Sequence, residues 1–376
     1  MKLLKKVITF FKFKWSFRFP IKRDIIFLVS DNTYFHYLKN KNKNFSFLKT
    51  NNFNIFIIFK LFLIKKISKN FILHYYVEYL KFTECKIFVT NYDNYLIFWK
   101  IKKYIPKLKV IIIQNGLRLK KYDIFEKIKK NRSYKVDYFF TFNKEISNLF
   151  SKFIKAKFIP IGSIENNFIK INKNDNNHKK SILFISEFLE TKNNFFFEEN
   201  NINMNSWYFP EKIILPFLQK FCSEKKIILK ILPRTYEKEE LNFFSNIIKR
   251  DSFIYLNKKL VNSYNEIDKS NICVFISSTL GYEALARNKK VAAFCLRKLR
   301  LDSSKFGWPN KFKESGKFWT NKPNLRIFDK IMNYLIKTND KDWKKYSIGF
   351  KKKIMFFDKK NLKLHSILKK YNKSIL

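Results

Sequence analysis

"ICVFISSTLGYEALARNKKVAAFC", Ile272–Cys295, decides the fold. It opens with five apolar residues in succession, passes three hydroxyl residues and a glycine, continues as an Ala/Leu-rich stretch, and ends in a second apolar run. Strands apolar at consecutive rather than alternate positions are covered on both faces, as in parallel sheets. A helix between two such strands is a βαβ unit, so the segment predicts an α/β fold.

The same pattern extends outward from it. "DIIFLVS" (24–30), "FNIFIIF" (53–59), "CKIFVT" (85–90), "KVIIIQ" (109–114), "VDYFFTF" (136–142) and "KFIPIG" (157–162) read as strands, with helices expected over 67–82, 93–105 and 143–153. "INKNDNNHKK" (171–180) is too polar to join a core and reads as a linker. Beyond it, "SILFIS" (181–186), "KIILKIL" (226–232) and "FIYL" (253–256) lead to the opening segment, with helices near 211–224 and 237–249. The reading is two tandem Rossmann-like parallel-sheet domains, 1–170 and 181–345, and a basic helical tail, 346–376. Such tandem domains imply a cleft at the carboxyl ends of their strands.

Composition limits what the sites can mean. The 376 residues are 46% hydrophobic, enough for two cores, and the formal charge is +48. The excess is spread along the chain as Lys amid abundant Asn, Ile and Phe, the signature of AT-rich coding rather than of a nucleic-acid-binding face. Cys85, Cys222, Cys273 and Cys295 and the four histidines lack metal-ligand spacing, which suggests core thiols in a reducing cytosol. No segment reaches the roughly 18 uninterrupted apolar residues of a membrane span. "NIFIIFKLFLIKK" is broken by Lys60, and "MKLLKKVITFFKFKWSFRF" at the N-terminus suits either a membrane interface or a packed first helix. The expected location is cytoplasmic, with the inner membrane face as a possible docking surface.

Three places can carry chemistry. Ser277, Ser278 and Thr279 stand at the strand-to-helix turn, where unpaired amides and the helix dipole suit a phosphate, and Gly281 lets a ligand approach. Ordinary capping competes with this reading, but Glu283 does not sit where a capping box beginning at Thr279 places its acid. In the first domain, Gln114, Asn115, Gly116 and Arg118 form a turn after a strand that can face an acceptor, or be a plain βα turn. Arg234, after "ILP", can grip a phosphate bidentately or lie solvated. Asp31 and Asp93 are the candidate general bases, and either can instead cap a helix.

"SSTLGYEALARNKKVAAF" resembles the nucleotide-binding segment of GT-B glycosyltransferases of surface-carbohydrate biosynthesis, lipopolysaccharide or capsule. "TNYDN" with "QNGLR", "IPIGSIENN" and "KILPRTYEKEE" resemble further segments of that group in order and spacing. The resemblance implies that Ser278, Thr279 and Gly281 face the donor diphosphate and that Glu283 takes the ribose hydroxyls. It implies a nucleotide sugar as substrate rather than any cofactor, a glycan or lipid-linked acceptor, and no metal, since Asp-x-Asp is missing. Related teichoic-acid polymerases carry histidines where Asn115 and Leu232 stand here, which ranks polyol-phosphate transfer lower. A nucleotide-sugar epimerase shares the second-domain segment, and a basic nucleic-acid-binding protein is the non-enzymatic alternative.

Overall fold

The computed structural model describes residues 14–371 except 31–32, 42–44, 51, 67–69, 121–122, 129–133, 173–179, 190–201, 235–237 and 298–304. The chain divides into two compact units. The first takes the residues up to Asn115, Lys127–Phe168 and the chain from Asp358 onward; the second takes Gly116–Glu126 and Ile169–Phe357. Two excursions thus cross the boundary that composition alone suggests, and most of the polar 171–180 stretch lies outside the described residues.

The strands are β1 Lys14–Ser16, β2 Ile25–Leu28, β3 Phe45–Leu48, β4 Asn52–Asn54, β5 Ile87–Thr90, β6 Lys109–Ile113, β7 Lys135–Thr141 and β8 Lys155–Pro160 in the first unit. All its pairings are parallel, in the order β3-β2-β5-β6-β7-β8, with β1 and β4 forming a separate two-stranded ribbon. Ile25, Ile26, Phe27 and Leu28 are all buried, as expected of a strand covered on both faces. One face packs Phe27, Val89, Ile111 and Phe140 against Leu364, Ile367 and Leu368 of the C-terminal helix Leu362–Tyr371. Asn167 of "GSIENN" holds that returning chain: its Nδ2 donates to Ile161 O at 2.8 Å and Asn361 Oδ1 at 2.9 Å, and its Oδ1 accepts from Asp358 N at 3.0 Å.

One expected strand is a helix. Residues 53–59 contribute only their first two positions to β4; α2, Ile55–Leu63, follows α1, Thr33–Lys41, in chain order. The reason is local. Asn54 Oδ1 accepts from the amides of Phe56 and Ile57, at 3.1 and 3.4 Å, so the chain turns into a helix at an N-cap inside the apolar run. The sheet edge expected there is filled by β3, whose four residues "FSFL" are too short a run to stand out.

In the second unit β9 Ser181–Ile185, β10 Ile228–Leu232, β11 Ile254–Tyr255, β12 Ile272–Phe275, β13 Lys290–Phe294 and β14 Trp319–Thr320 form one parallel sheet. Its order β11-β10-β9-β12-β13-β14 is the doubly wound 3-2-1-4-5-6 arrangement, with the direction of winding reversing between β9 and β12. Helices α3, Phe209–Glu224, and α4, Thr279–Ala286, contribute to the site below. Arg287, just past α4, is buried; its Nε donates to Asp268 Oδ1 at 2.9 Å and its terminal nitrogens to the carbonyls of Ile169 and Lys170, both at 3.1 Å. All four cysteines are free and buried, and burial pushes the Cys85, Cys222 and Cys273 thiols up to about 12. Among the described residues, no helix is long and apolar enough to cross a membrane.

Candidate functional site

Ligands of doubly wound sheets bind beyond the carboxyl ends of the strands, where the winding reverses. In the second unit that place is a built polar cluster. Glu187, after β9, reaches the end of β12: its Oε1 accepts from Ser277 N at 3.0 Å and its Oε2 from Ser277 Oγ at 2.8 Å. Arg297, after β13, donates Nη2 to Glu187 Oε2 at 2.5 Å and to Glu211 Oε1 at 3.2 Å, and lies 4.0 Å over the Trp207 ring. Glu211, in the first turn of α3, is fully buried, and its Oε2 has no hydrogen-bond partner among the described residues. Burial drives its carboxyl above the usual range, Arg297 pulls it down, and Glu187 adds to the rise.

The opening segment folds as a strand, a turn and a helix, with Ser278 rather than Thr279 as the cap; Ser278 Oγ accepts from Leu280 N at 3.3 Å. Thr279 Oγ1 instead accepts from Leu117 N at 3.2 Å, joining the loop after "QNG" to this turn. Glu283 is nearly buried and accepts from Tyr264 Oη at 2.8 Å, which fixes its carboxylate. Arg234 follows β10 beside β9; its amide donates to Glu240 Oε1 at 2.9 Å, while its exposed guanidinium reaches Phe188 O at 3.4 Å. Ser277, Glu187 and Arg234 therefore stand on adjacent strand ends. Gly281 differs from its expected role. A Cβ there meets the Phe275 ring at 2.1 Å, so the space beside this glycine is filled by the core and not by a ligand.

The carboxyl edge of the first unit is clamped in a similar way. Asn91 Oδ1 accepts from Ser30 N at 2.9 Å and Asn91 Nδ2 donates to Ser30 Oγ at 2.7 Å, bridging β2 and β5 where that sheet reverses. Asp93 has no exposure, and its Oδ1 accepts from Asn115 N at 3.1 Å. A carboxylate buried in this way ties two turns together and presents no surface to an acceptor hydroxyl, which corrects its reading as a general base; nor does it cap a helix, since Tyr95 is the cap of Leu96–Tyr104. Asp31 lies outside the described residues. Gln114 is also buried, its Oε1 accepting from Phe142 N at 2.8 Å, and so holds β6 to the turn after β7 rather than facing an acceptor.

Asn115 is exposed, and Arg118 lies 3.9 Å from Asp123. Gly116 has no left-handed backbone, and the atoms nearest to a Cβ there are those of the Arg118 guanidinium, at an ordinary contact distance of 3.6 Å. Gly116→Ala is therefore expected to leave thermal stability within about 0.5 kcal/mol of wild type. Loss of ligand binding at unchanged stability, read by calorimetry, identifies a glycine kept for close approach; loss of both identifies a folding role.

None of the clustered carboxylates was visible as a cluster in the sequence. Glu187, Glu211 and Arg297 are far apart along the chain. Their signal is the arginine itself: among 78 basic residues only ten are Arg, and among the described residues Arg287 and Arg297 are buried. Among the described residues, no three His, Cys, Asp or Glu side chains come together as a metal site.

Two six-stranded parallel sheets, each in its own unit, define the GT-B fold class. Solved structures agree. The chain is similar to Staphylococcus aureus MnaA in its UDP co-structure, with TM-score 0.54 at 13% identity over 94% of this chain and 97% of that one. A UDP-N-acetylglucosamine 2-epimerase gives 0.53 at 12% over 94% and 97%, and a variant of the wall teichoic acid polymerase TagF gives 0.53 at 13% over 95% and 90%. Comparison with curated protein sequences finds no match. Residues 111–372 match the family described as "putative O-antigen biosynthesis protein", and the chain belongs to that family.

Proposed function

We propose that the chain transfers a sugar from a nucleotide-sugar donor to a surface polysaccharide or its lipid-linked precursor, as a step of O-antigen assembly. The supporting observation is the strand-turn-helix of β12 and α4 at the reversal point of the second sheet, inside the family match. The start of α4 directs its dipole toward the strand ends, and Arg234 adds an exposed guanidinium past the end of β10, which β9 separates from β12. Together they suit the diphosphate that leaves when the glycosidic bond forms. Glu283, oriented by Tyr264, is assigned to the ribose, and Asn115 with Arg118 to the acceptor side. Asp31 is the remaining carboxylate for the acceptor hydroxyl.

The test is thermal stability against UDP-, GDP-, CMP-, CDP- and dTDP-linked ligands, UDP first because MnaA holds it. A ligand at about 100 times its Kd adds about 2.7 kcal/mol, and one nucleotide class is expected to do so. Glu283→Gln, which keeps shape and removes charge, should lose most of that gain. Absence of any response, with lipid acceptor present as well, overturns the reading. The epimerase reading is supported by the likeness to a UDP-N-acetylglucosamine 2-epimerase and predicts a different product: interconversion of UDP-N-acetylglucosamine with its 2-epimer in the absence of acceptor, read by NMR. Glycosyl transfer predicts none.

A further inference from the structure

We infer that the first unit carries a docking face for an anionic lipid bilayer, formed by α2 and the Phe17–Ile21 segment. The helix "IFIIFKLFL" is apolar all round except at Lys60, yet only Ile57 and Leu61 are buried. Phe59, Phe62 and Leu63 are 61%, 67% and 63% exposed, and Phe17, Phe19 and Ile21 are 72%, 64% and 66% exposed. The two stretches meet: Phe19 stacks on Phe56 with ring centroids 3.8 Å apart, and Asn54 Nδ2 donates to Arg18 O at 2.7 Å. With about 150–250 Å² for a phenylalanine, the four exposed ones present roughly 400–650 Å². Apolar surface of that extent marks an interaction site.

The chemistry around the patch selects the occupant. Ile55, Phe56, Ile58, Phe59 and Phe62 line an open hollow of about 400 Å³ whose wall is apolar only, which suits acyl chains rather than a polar protein segment. Beside it, the buried Glu78 carboxylate faces Lys60 at 3.1 Å, Lys81 at 3.4 Å and Lys66 at 3.8 Å. Three ammonium groups around one carboxylate leave the border positive, and exposed Lys14, Arg18 and Lys65 extend it. An apolar aromatic surface bordered by cations matches the boundary between acyl chains and anionic headgroups. A second copy of the chain is disfavoured as occupant, because apposing two surfaces of a protein at +48 sets like charges together. This face does not depend on the glycosyl-transfer reading, and it stands or falls separately from it.

The test is co-sedimentation of the full chain with phosphatidylcholine vesicles, with and without phosphatidylglycerol, for wild type and for the Phe59→Ser/Phe62→Ser double variant. Both side chains are mostly exposed, so circular dichroism and thermal unfolding should match wild type, and residues 1–13 are unchanged in the variant. The expected result is binding that requires phosphatidylglycerol and falls at least about tenfold in the variant. Equal binding of both proteins overturns the proposal, since net charge or another segment then accounts for it. No vesicle binding by wild type also overturns it, as does a dimer in light scattering that the double variant dissolves without any vesicle binding.

Discussion

Arg297→Met is expected to lower the stability of the second unit by about 3–5 kcal/mol at neutral pH, because removing one partner of a buried ion pair leaves the other uncompensated. Here two partners are left. Glu187 and Glu211 both lose the guanidinium, and Ser277, which Arg297 approaches at 3.3 Å through Nε, loses part of its support. The side chain of Met replaces most of the lost volume, so the effect is electrostatic rather than a cavity. Urea unfolding checks it, and its pH dependence separates it from simple loss of packing. Without Arg297 the Glu211 carboxyl loses the neighbour that holds its proton affinity down, so the folded variant binds more protons than the unfolded chain. Its stability is then expected to recover as pH falls from 8 toward the ordinary glutamate value of 4.5. A packing loss gives no such recovery. The wild-type sign follows from the same logic. Glu211 is raised in the folded state, so the stability it contributes is present below the ordinary glutamate value and is lost as pH rises through its folded pKa. Glu211→Gln, which cannot ionise, is expected to gain on wild type toward the alkaline end of the range.

Most strands of the two sheets were legible because a buried parallel strand writes itself as consecutive apolar residues, as "KVIIIQ" and "ICVFI" do; β3 and β14, four and two residues long, were not. Such a run loses its meaning where a cap interrupts it. At Asn54 a single side chain, accepting two amides, converts the expected strand into α2, and the surviving apolar character then shows as exposed phenylalanines. Motif residues were legible as positions but not as partners. "GSIENN" marks a real junction, yet Asn167 serves the returning C-terminal chain, which no local pattern announces. Glu187 and Ser277 meet only because β9 and β12 are neighbours in the sheet order, a property of topology that spacing along the chain does not contain.

Gly281→Ala is expected to destabilise the second unit although it places a better helix former inside α4. The propensity gain is about 1 kcal/mol. Against it stands a Cβ 2.1 Å from the Phe275 ring, whose side chain is fully buried on β12 and packed against Tyr282 with ring centroids 5.0 Å apart. Such overpacking typically costs about 1–3 kcal/mol and more where the neighbours cannot shift, so the clash wins. The background decides the sign. In Phe275→Ala, itself destabilised by about 3–5 kcal/mol, the ring is gone and the added methyl enters open space. There Gly281→Ala should stabilise, by propensity and by filling part of the cavity. A double-mutant cycle in urea reads this reversal directly. If Gly281→Ala instead leaves stability unchanged and removes the nucleotide response, the glycine serves ligand approach after all, and the ring must be able to move aside. A reversal of sign with the nucleotide response kept assigns Gly281 to the packing of α4 on β12, and leaves the helix start, Arg234 and Glu283 to hold the donor.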